Sequence, residues 1–340
     1  MTGLKAHTTR TMVNLKDIKR AQERLRGVAA RTPLIPYFPP TQNPGTGPEL
    51  DRGQLWLKPE SFQPIGSFKL RGAYNKIASL SHDERRRGVI SYSSGNHAQG
   101  VAYAAHALGV KAVIVMPSNA PRLKVECTAA LGAEIVTVGP ASTERLRKAE
   151  ELARQYGYVI VPPYNDEQII AGQGTVGLEI LEDCPGVELV LAPTGGGGLI
   201  SGISAAIKLS GSRAKVVGVE PELANDAQRS FRQGEIIELS AERVSSTLAD
   251  GLRTQSIGPI NFEHIRRYVD DIINVSEDEI RAAMRAMVKN ARIVPEPSGA
   301  VTLAGWLFHA KELPEAKKTV AVVSGGNVDP VLLAQVLSEG

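Results

Sequence analysis

Cysteine is almost missing from this chain of 340 residues: Cys127 and Cys184 are the only two, and no paired spacing links them. A disulfide framework and a Cys-based zinc site are therefore excluded, and a reducing, cytoplasmic setting is the expectation. Long apolar runs are missing too. No segment is extended enough to span a bilayer, and no N-terminal stretch joins basic residues to an apolar run and a small-residue cleavage site. Neither a membrane partner nor a secretory leader is expected. The chain also lacks a strong charge of either sign, with 39 Lys plus Arg against 36 Asp plus Glu. Its densest basic run, Arg85 to Arg87, stands beside Asp83 and Glu84 and reads as a solvated helix end, which argues against a nucleic-acid partner. Internal repeats and low-complexity tracts are lacking as well.

What is present is enough chain to bury a full core around a large cleft. Short runs rich in β-branched residues recur: Val89 to Tyr92, Ala112 to Met116, Glu134 to Val138, Tyr158 to Val161, Glu188 to Ala192, Lys215 to Val219 and Thr319 to Val323. Each is a strand candidate. Segments of helical character, such as His97 to Leu108 and Thr143 to Tyr156, lie between many of them. The alternation predicts an α/β fold with parallel sheets covered by helices on both faces. Three strand candidates run into Gly-rich or Ser-rich turns: Ser93-Ser94-Gly95-Asn96, Thr194 through Gly198, and Ser324-Gly325-Gly326-Asn327. Open α/β sheets bind ligands beyond the carboxyl ends of their strands, so these turns are expected to face one cleft. The first dozen residues and Pro39 to Gly53 read as a loose end and a surface loop.

Gly195, Gly196, Gly197 and Gly198 stand in a row between an apolar strand and the helix-like Leu199 to Leu209. Without Cβ atoms, successive N–H groups can converge on an anion, and the helix N-terminus adds its positive end. A phosphate is the natural guest. The absence of a Gly-Lys-Ser/Thr ending argues against a nucleoside triphosphate, and the contiguous glycines fit a dinucleotide fingerprint poorly. Lys69 sits in Gly66-Ser67-Phe68-Lys69-Leu70-Arg71-Gly72. A lysine is ordinarily a solvated charge, but desolvation beside apolar neighbours lowers its pKa and frees the amine for a Schiff base. Ser324 reads either as a helix cap or as a neutral partner for a pyridine nitrogen, an arrangement that favours elimination over transamination. The Glu220 to Asp226 turn reads either as a solvated acidic loop or as oxygen ligands for a hard cation.

Together these motifs resemble the serine/threonine dehydratase and serine racemase family, which are fold type II, tryptophan synthase β-like enzymes dependent on pyridoxal 5'-phosphate (PLP). The likeness runs from about Leu15 to Val336. Ser67 to Ala73 is similar to the family's Schiff-base motif, and Ser93-Ser94-Gly95-Asn96-His97 to its loop for substrate carboxylate and the cofactor's 3'-oxygen. Ala171 to Thr175, the four glycines, Glu296-Pro297 and Ser324 to Asn327 follow in the family's order. The resemblance implies that Lys69 carries PLP as a Schiff base and moves the Cα proton. It further implies that Phe68 and Asn96 contact the ring, that Gly195 to Gly198 hold the phosphate, and that Ser324 meets the pyridine nitrogen. Ser93, Ser94, Gly95, Asn96 and His97 are then the substrate-binding loop.

Within that family, Ser94 stands where many threonine dehydratases are similar but carry alanine; serine racemases and hydroxyaspartate dehydratases carry a serine that works from the opposite face. Glu220, Ala224 and Asp226 match the divalent-cation site of the racemase-like branch, implying Mg, Mn or Ca. His97 to Ala102 instead looks like the threonine dehydratases. The resemblance thus implies a lyase of amino-acid metabolism that dehydrates and deaminates L-threonine or L-serine. The alternatives are a serine racemase with eliminase activity, a 3-hydroxyaspartate ammonia-lyase, a β-replacing synthase, or a PLP-binding protein without turnover. A homodimer is implied. The expected organisation is a large PLP-binding domain, 14–85 with 165–340, and a small mobile domain, 86–164. Only a short helix is expected beyond Ser324, with no module for feedback by isoleucine.

Overall fold

A computed structural model describes residues 12–39, 53–93, 95–118, 120, 122–139 and 142–339. Ser94, and most of the expected loose end and of the Pro39 to Gly53 loop, lie outside the described residues. In chain order the strands are β1 (Ile35–Tyr37), β2 (Gln54–Pro59), β3 (Val89–Tyr92), β4 (Ala112–Pro117), β5 (Glu134–Val138), β6 (Val159–Ile160), β7 (Leu189–Pro193), β8 (Lys215–Pro221), β9 (Asp271–Val275) and β10 (Lys318–Val323). They form two sheets, one ordered β1-β2-β10-β7-β8-β9 and the other β5-β4-β3-β6. Every pairing is parallel except that of β1 with β2. The expected α/β architecture with two open parallel sheets is therefore present.

The reason lies in burial on both faces. Along the larger sheet, Leu191, Val217 and Val323 enter one hydrophobic layer, while their neighbours Val190, Val216 and Val322 enter the layer behind. A strand covered on both sides must be apolar at every position, which is why these strands read as continuous runs. Three strands lack that signature and escaped the sequence reading. β1 is a three-residue edge strand holding Pro36, and β9 is the opposite edge and starts at Asp271. β2 is central, but it carries a lysine, Lys58, that is fully buried.

That lysine belongs to a buried charge cluster beneath the Lys69–Ser79 helix. Lys58 Nζ donates to Glu179 Oε2 at 2.7 Å and to Thr32 O at 2.6 Å. Arg71 Nε donates to Glu60 Oε2 at 2.7 Å, and Arg71 Nη1 donates to Glu179 Oε1 at 2.6 Å. Two cations and two carboxylates thus neutralise one another and tie the Lys69–Ser79 helix to β2 and to the Glu167–Asp183 helix. The latter helix also packs backbone to backbone on its other neighbour, Gly198–Leu209: a Cβ on Gly202 would stand 2.4 Å from Gly174 N. Three helices are thereby stacked, and two of them begin at the cleft. The Asp83–Arg87 charges lie on a short exposed helix, His82–Arg87, and both cysteines are free. Among the described residues, no helix is long and apolar enough to cross a membrane.

Candidate active site

The carboxyl ends of β3, β7 and β10 meet at this cleft. The turn after β10 lies along the segment that precedes Lys69: Phe68 N donates to Ser324 O at 3.1 Å, Gly326 N donates to Gly66 O at 2.9 Å, and Ser67 pairs with Gly325. Lys69 is the first residue of its helix. Its Nζ donates to Pro163 O at 2.7 Å and lies 5.2 Å from the centre of the Phe68 ring. Burial draws the amine down from 10.5 to about 8, against the opposing pull of the nearby Glu296 carboxyl. Near neutral pH such an amine keeps an appreciable uncharged fraction, the form that attacks a carbonyl.

β7 runs into Thr194 and the glycines. Gly197 adopts φ +91° as it enters the Gly198–Leu209 helix, a left-handed turn that glycine makes without a Cβ clash, and no side chain caps the helix. A Cβ on Gly196 would fall 2.4 Å from Tyr164 Cδ1, so the ring of Tyr164 lies directly on this loop. Tyr164 follows Pro163, the residue whose carbonyl holds Lys69, and so the amine and the uncapped helix start share one wall. Helix starts of this kind take anions through free N–H groups and the positive end of the dipole.

β3 runs into Ser93, whose Oγ accepts from Gly95 N at 3.4 Å. Asn96 opens the Asn96–Ala107 helix, again without a side-chain cap. Its Nδ2 donates to Glu296 Oε1 at 2.8 Å, and its Oδ1 accepts from Asn327 Nδ2 at 2.8 Å. These bonds join the smaller sheet to the larger. The His97 ring is turned into the protein, with Nε2 3.0 Å from Val161 O. Burial, then the charge of Lys69, pushes His97 down to about 3, so the ring is neutral and Nε2 donates to that carbonyl. Ser91 Oγ donates to the same oxygen at 2.8 Å. The imidazole thus steadies the strand end that leads to Pro163, leaving the backbone N–H as what His97 offers a ligand.

Ser324 is 3% exposed and its Oγ donates to Ser298 O at 3.3 Å. Glu296, at the start of the Pro297–Phe308 helix, is raised to about 8 by burial and by Asp250. Lys69, Phe68, Asn96, Ser324 and the glycine loop are therefore gathered at one place. Two contributors carried no sequence signal as site residues: Pro163, which acts through a main-chain carbonyl, and Tyr164, whose role depends on where Gly196 lies.

A second polar site lies at the end of β8. Glu220 is in that strand, Ala224 closes the turn Glu222–Ala224, and Asp226 opens the helix Asp226–Gln233. Glu220 Oε1 accepts from Gln228 N at 2.7 Å, whereas Glu220 Oε2 and both Asp226 carboxylate oxygens are buried without a hydrogen-bond partner. Burial raises both groups, Asp226 to about 8, and the charge of Asp226 raises Glu220 further. Orphaned buried carboxylate oxygens are costly, and a hard cation satisfies them. Among the described residues no group of three or more His, Cys, Asp or Glu assembles, so the remaining ligands of a cation here would be carbonyls or water.

An amine poised for carbonyl chemistry beside an anion cradle suits a carbonyl cofactor with a phosphate tail. Residues 25–325 match the family described as pyridoxal-phosphate dependent enzyme, and the chain belongs to that family. It is 44% identical to the L-threonine ammonia-lyase of Thermotoga maritima, over 97% of this chain and 79% of that protein. It is 41% identical to the catabolic L-threonine dehydratase TdcB of Escherichia coli over 95% and 96%, and 39% identical to the L-threo-3-hydroxyaspartate ammonia-lyase of Saccharomyces cerevisiae over 95% of each. Among solved structures, a threonine deaminase from T.th. is similar at TM-score 0.84 and 41% identity, covering 93% of this chain and 99% of that one. Maize serine racemase is similar at TM-score 0.88 and 35% identity, covering 97% and 98%.

Proposed function

We propose that this chain is an ammonia-lyase that converts L-threonine or L-serine to a 2-oxo acid and ammonia. The observation that carries this reading is the Lys69 amine, drawn down to about 8 and held at Pro163 O, on the same wall as the uncapped glycine loop. The names of the relatives at 41% and 44% identity agree with it. PLP, when bound, supplies the electron sink for negative charge developing at the substrate Cα.

The chain's own residues do the rest. Gly195 to Gly198 take the phosphate on their N–H groups. Phe68 and Asn96 would meet the ring, and Ser324 would offer its neutral hydroxyl to the pyridine nitrogen by turning its hydrogen from Ser298 O. A hydroxyl does not force that nitrogen to stay protonated, which moderates the sink and favours loss of the β-hydroxyl over amino transfer. The substrate carboxylate rests on Ser93, Ser94, Gly95 and the first N–H groups of the Asn96 helix, where the dipole is positive. Lys69 Nζ would hold the cofactor, and its free amine is the base placed to take the substrate Cα proton. Water leaves from the β-carbon, and water returns in the hydrolysis that releases ammonia. Residues 86–164 form the lobe that closes over the cleft, in a cytoplasmic homodimer.

A divalent cation, Mg, Mn or Ca, would be held by Glu220, the Ala224 carbonyl and Asp226, a reading supported by the orphaned carboxylate oxygens there. A second reading, serine racemase, is favoured by the resemblance to maize serine racemase and by Ser94, which would exchange a proton on the face opposite Lys69.

The test is incubation of the purified, PLP-loaded protein with each amino acid, with and without magnesium, following 2-oxo acid and D-serine together. Rapid 2-oxo acid with little D-serine is expected, together with a higher melting temperature in magnesium than in chelator. D-serine in excess of 2-oxo acid would replace the lyase reading with the racemase, and neither product would remove both in favour of hydroxyaspartate.

A further inference from the structure

Of the groups assigned above to the cofactor ring, the side-chain amide of Asn96 is the one whose own chemistry leaves its orientation open, because either its oxygen or its nitrogen can turn inward. Its neighbours decide the matter. The main-chain oxygen of Ile65 can only accept, so the Asn327 atom 2.8 Å from it is Nδ2. The second hydrogen of that nitrogen points at Asn96 across 2.8 Å, and the Asn96 atom that receives it must be Oδ1. Asn96 Nδ2 is thereby turned from Asn327 and donates to Glu296 Oε1 at 2.8 Å. Both hydrogens of Asn327 Nδ2 are then spent. Among the described residues, one hydrogen of Asn96 Nδ2 remains for an acceptor in the cleft.

Asn327 is itself held in place from a different part of the chain. Gly326 N donates to Gly66 O at 2.9 Å, which lays the turn after β10 against the approach to Lys69. A Cβ on Gly66 would stand 2.3 Å from Asn327 Oδ1, so the amide fits because residue 66 has no side chain. Glu296 is confined likewise, since a Cβ on Gly325 would lie 2.4 Å from its Oε1.

We propose that Asn327 is a positioning residue: by occupying Asn96 Oδ1 it turns the Asn96 N–H toward the 3'-oxygen of the cofactor ring and holds that oxygen in its anionic form. The inference rests on the reading that Asn96 meets the ring. With an N–H donor facing it, the deprotonated oxygen is favoured; with the amide free to flip, the protonated oxygen gains ground. The two forms absorb at different wavelengths, the anionic one at the longer, so the orientation is readable without turnover.

The experiment compares the PLP-loaded enzyme with Asn327→Asp, Asn327→Ser, Asn96→Ala and the double variant Asn96→Ala/Asn327→Ser, recording absorbance against pH, kcat, KM and melting temperature. Asn327→Asp keeps the shape but removes the donor, and Asn327→Ser removes the reach without adding charge. Both are expected to weaken the long-wavelength band in favour of the short-wavelength one, with kcat down about tenfold and KM changed less than about twofold. The double variant should match Asn96→Ala, because Asn327 acts through Asn96. If Asn96→Ala shifts the spectrum and both Asn327 variants leave it native, the positioning role is overturned while the Asn96 contact stands. An additive double variant overturns it as well. If Asn96→Ala itself leaves the spectrum unchanged, the reading of Asn96 as a ring contact fails first and this inference with it.

Discussion

At the scale of single residues, the reactivity of Lys69 comes from its surroundings. An exposed lysine is almost wholly protonated near pH 7, whereas burial brings this one to about 8. The uncharged amine is the form that captures an aldehyde, so its fraction grows with pH and passes one half near pH 8. Capture of PLP by the cofactor-free protein should accelerate about tenfold per pH unit below that point and level off above it. A rate still climbing steeply toward 10.5, the unperturbed value, would show that the amine is not desolvated. Lys69→Ala should lose the visible absorbance of the bound cofactor; an unchanged spectrum would move the carrier role to another lysine.

At the scale of elements, the start of the Lys69 helix is placed by charges deep beneath it. Arg71, 1% exposed, answers both Glu60 and Glu179, and Lys58 shares Glu179 with it. Such a cluster adds little net stability over apolar packing, but removing one member leaves an opposite charge buried alone. Arg71→Met is therefore expected to lower stability by about 3–5 kcal/mol in denaturant unfolding, whereas the paired replacement Lys58→Met/Glu179→Gln should cost less than the sum of its single variants. Strict additivity would mean that the charges do not act as one unit. The cluster reaches the site through the main chain, where Arg71 N donates to Phe68 O at 3.0 Å.

At the scale of the whole molecule, the site exists because two separate sheets point their carboxyl ends at one another. Asn96, from the smaller sheet, bonds to Glu296 and Asn327 of the larger, and Lys124 reaches Asp250 at 2.7 Å. Among the described residues, few polar ties of this kind span the cleft, and closure of the 86–164 lobe, if it occurs, would have few such bonds to break. Adding a substrate analogue to the loaded enzyme should slow amide hydrogen exchange mainly at the cleft-facing ends of β3 and β4 and in the helix after Asn96. Uniform slowing over both sheets would argue for a rigid molecule and against residues 86–164 as a closing lobe.

The sequence by itself determined the α/β alternation, the run of glycines at a strand-to-helix turn and the candidate lysine, because each is written locally. Doubly covered strands are continuous apolar runs, and a turn of four glycines is contiguous in the chain. The edge strands β1 and β9 escaped because one side of an edge need not be apolar, and β2 escaped because Lys58 looks like a surface residue until Glu179, 121 positions away, neutralises it. The direction of the His97 ring, the carbonyl that holds Lys69 and the orientation of the Asn96 amide were decided only by tertiary structure. Each depends on a partner distant in sequence, 231 positions in the case of Asn96 and Asn327, and a hydrogen bond between such partners leaves no periodicity or composition behind to be read.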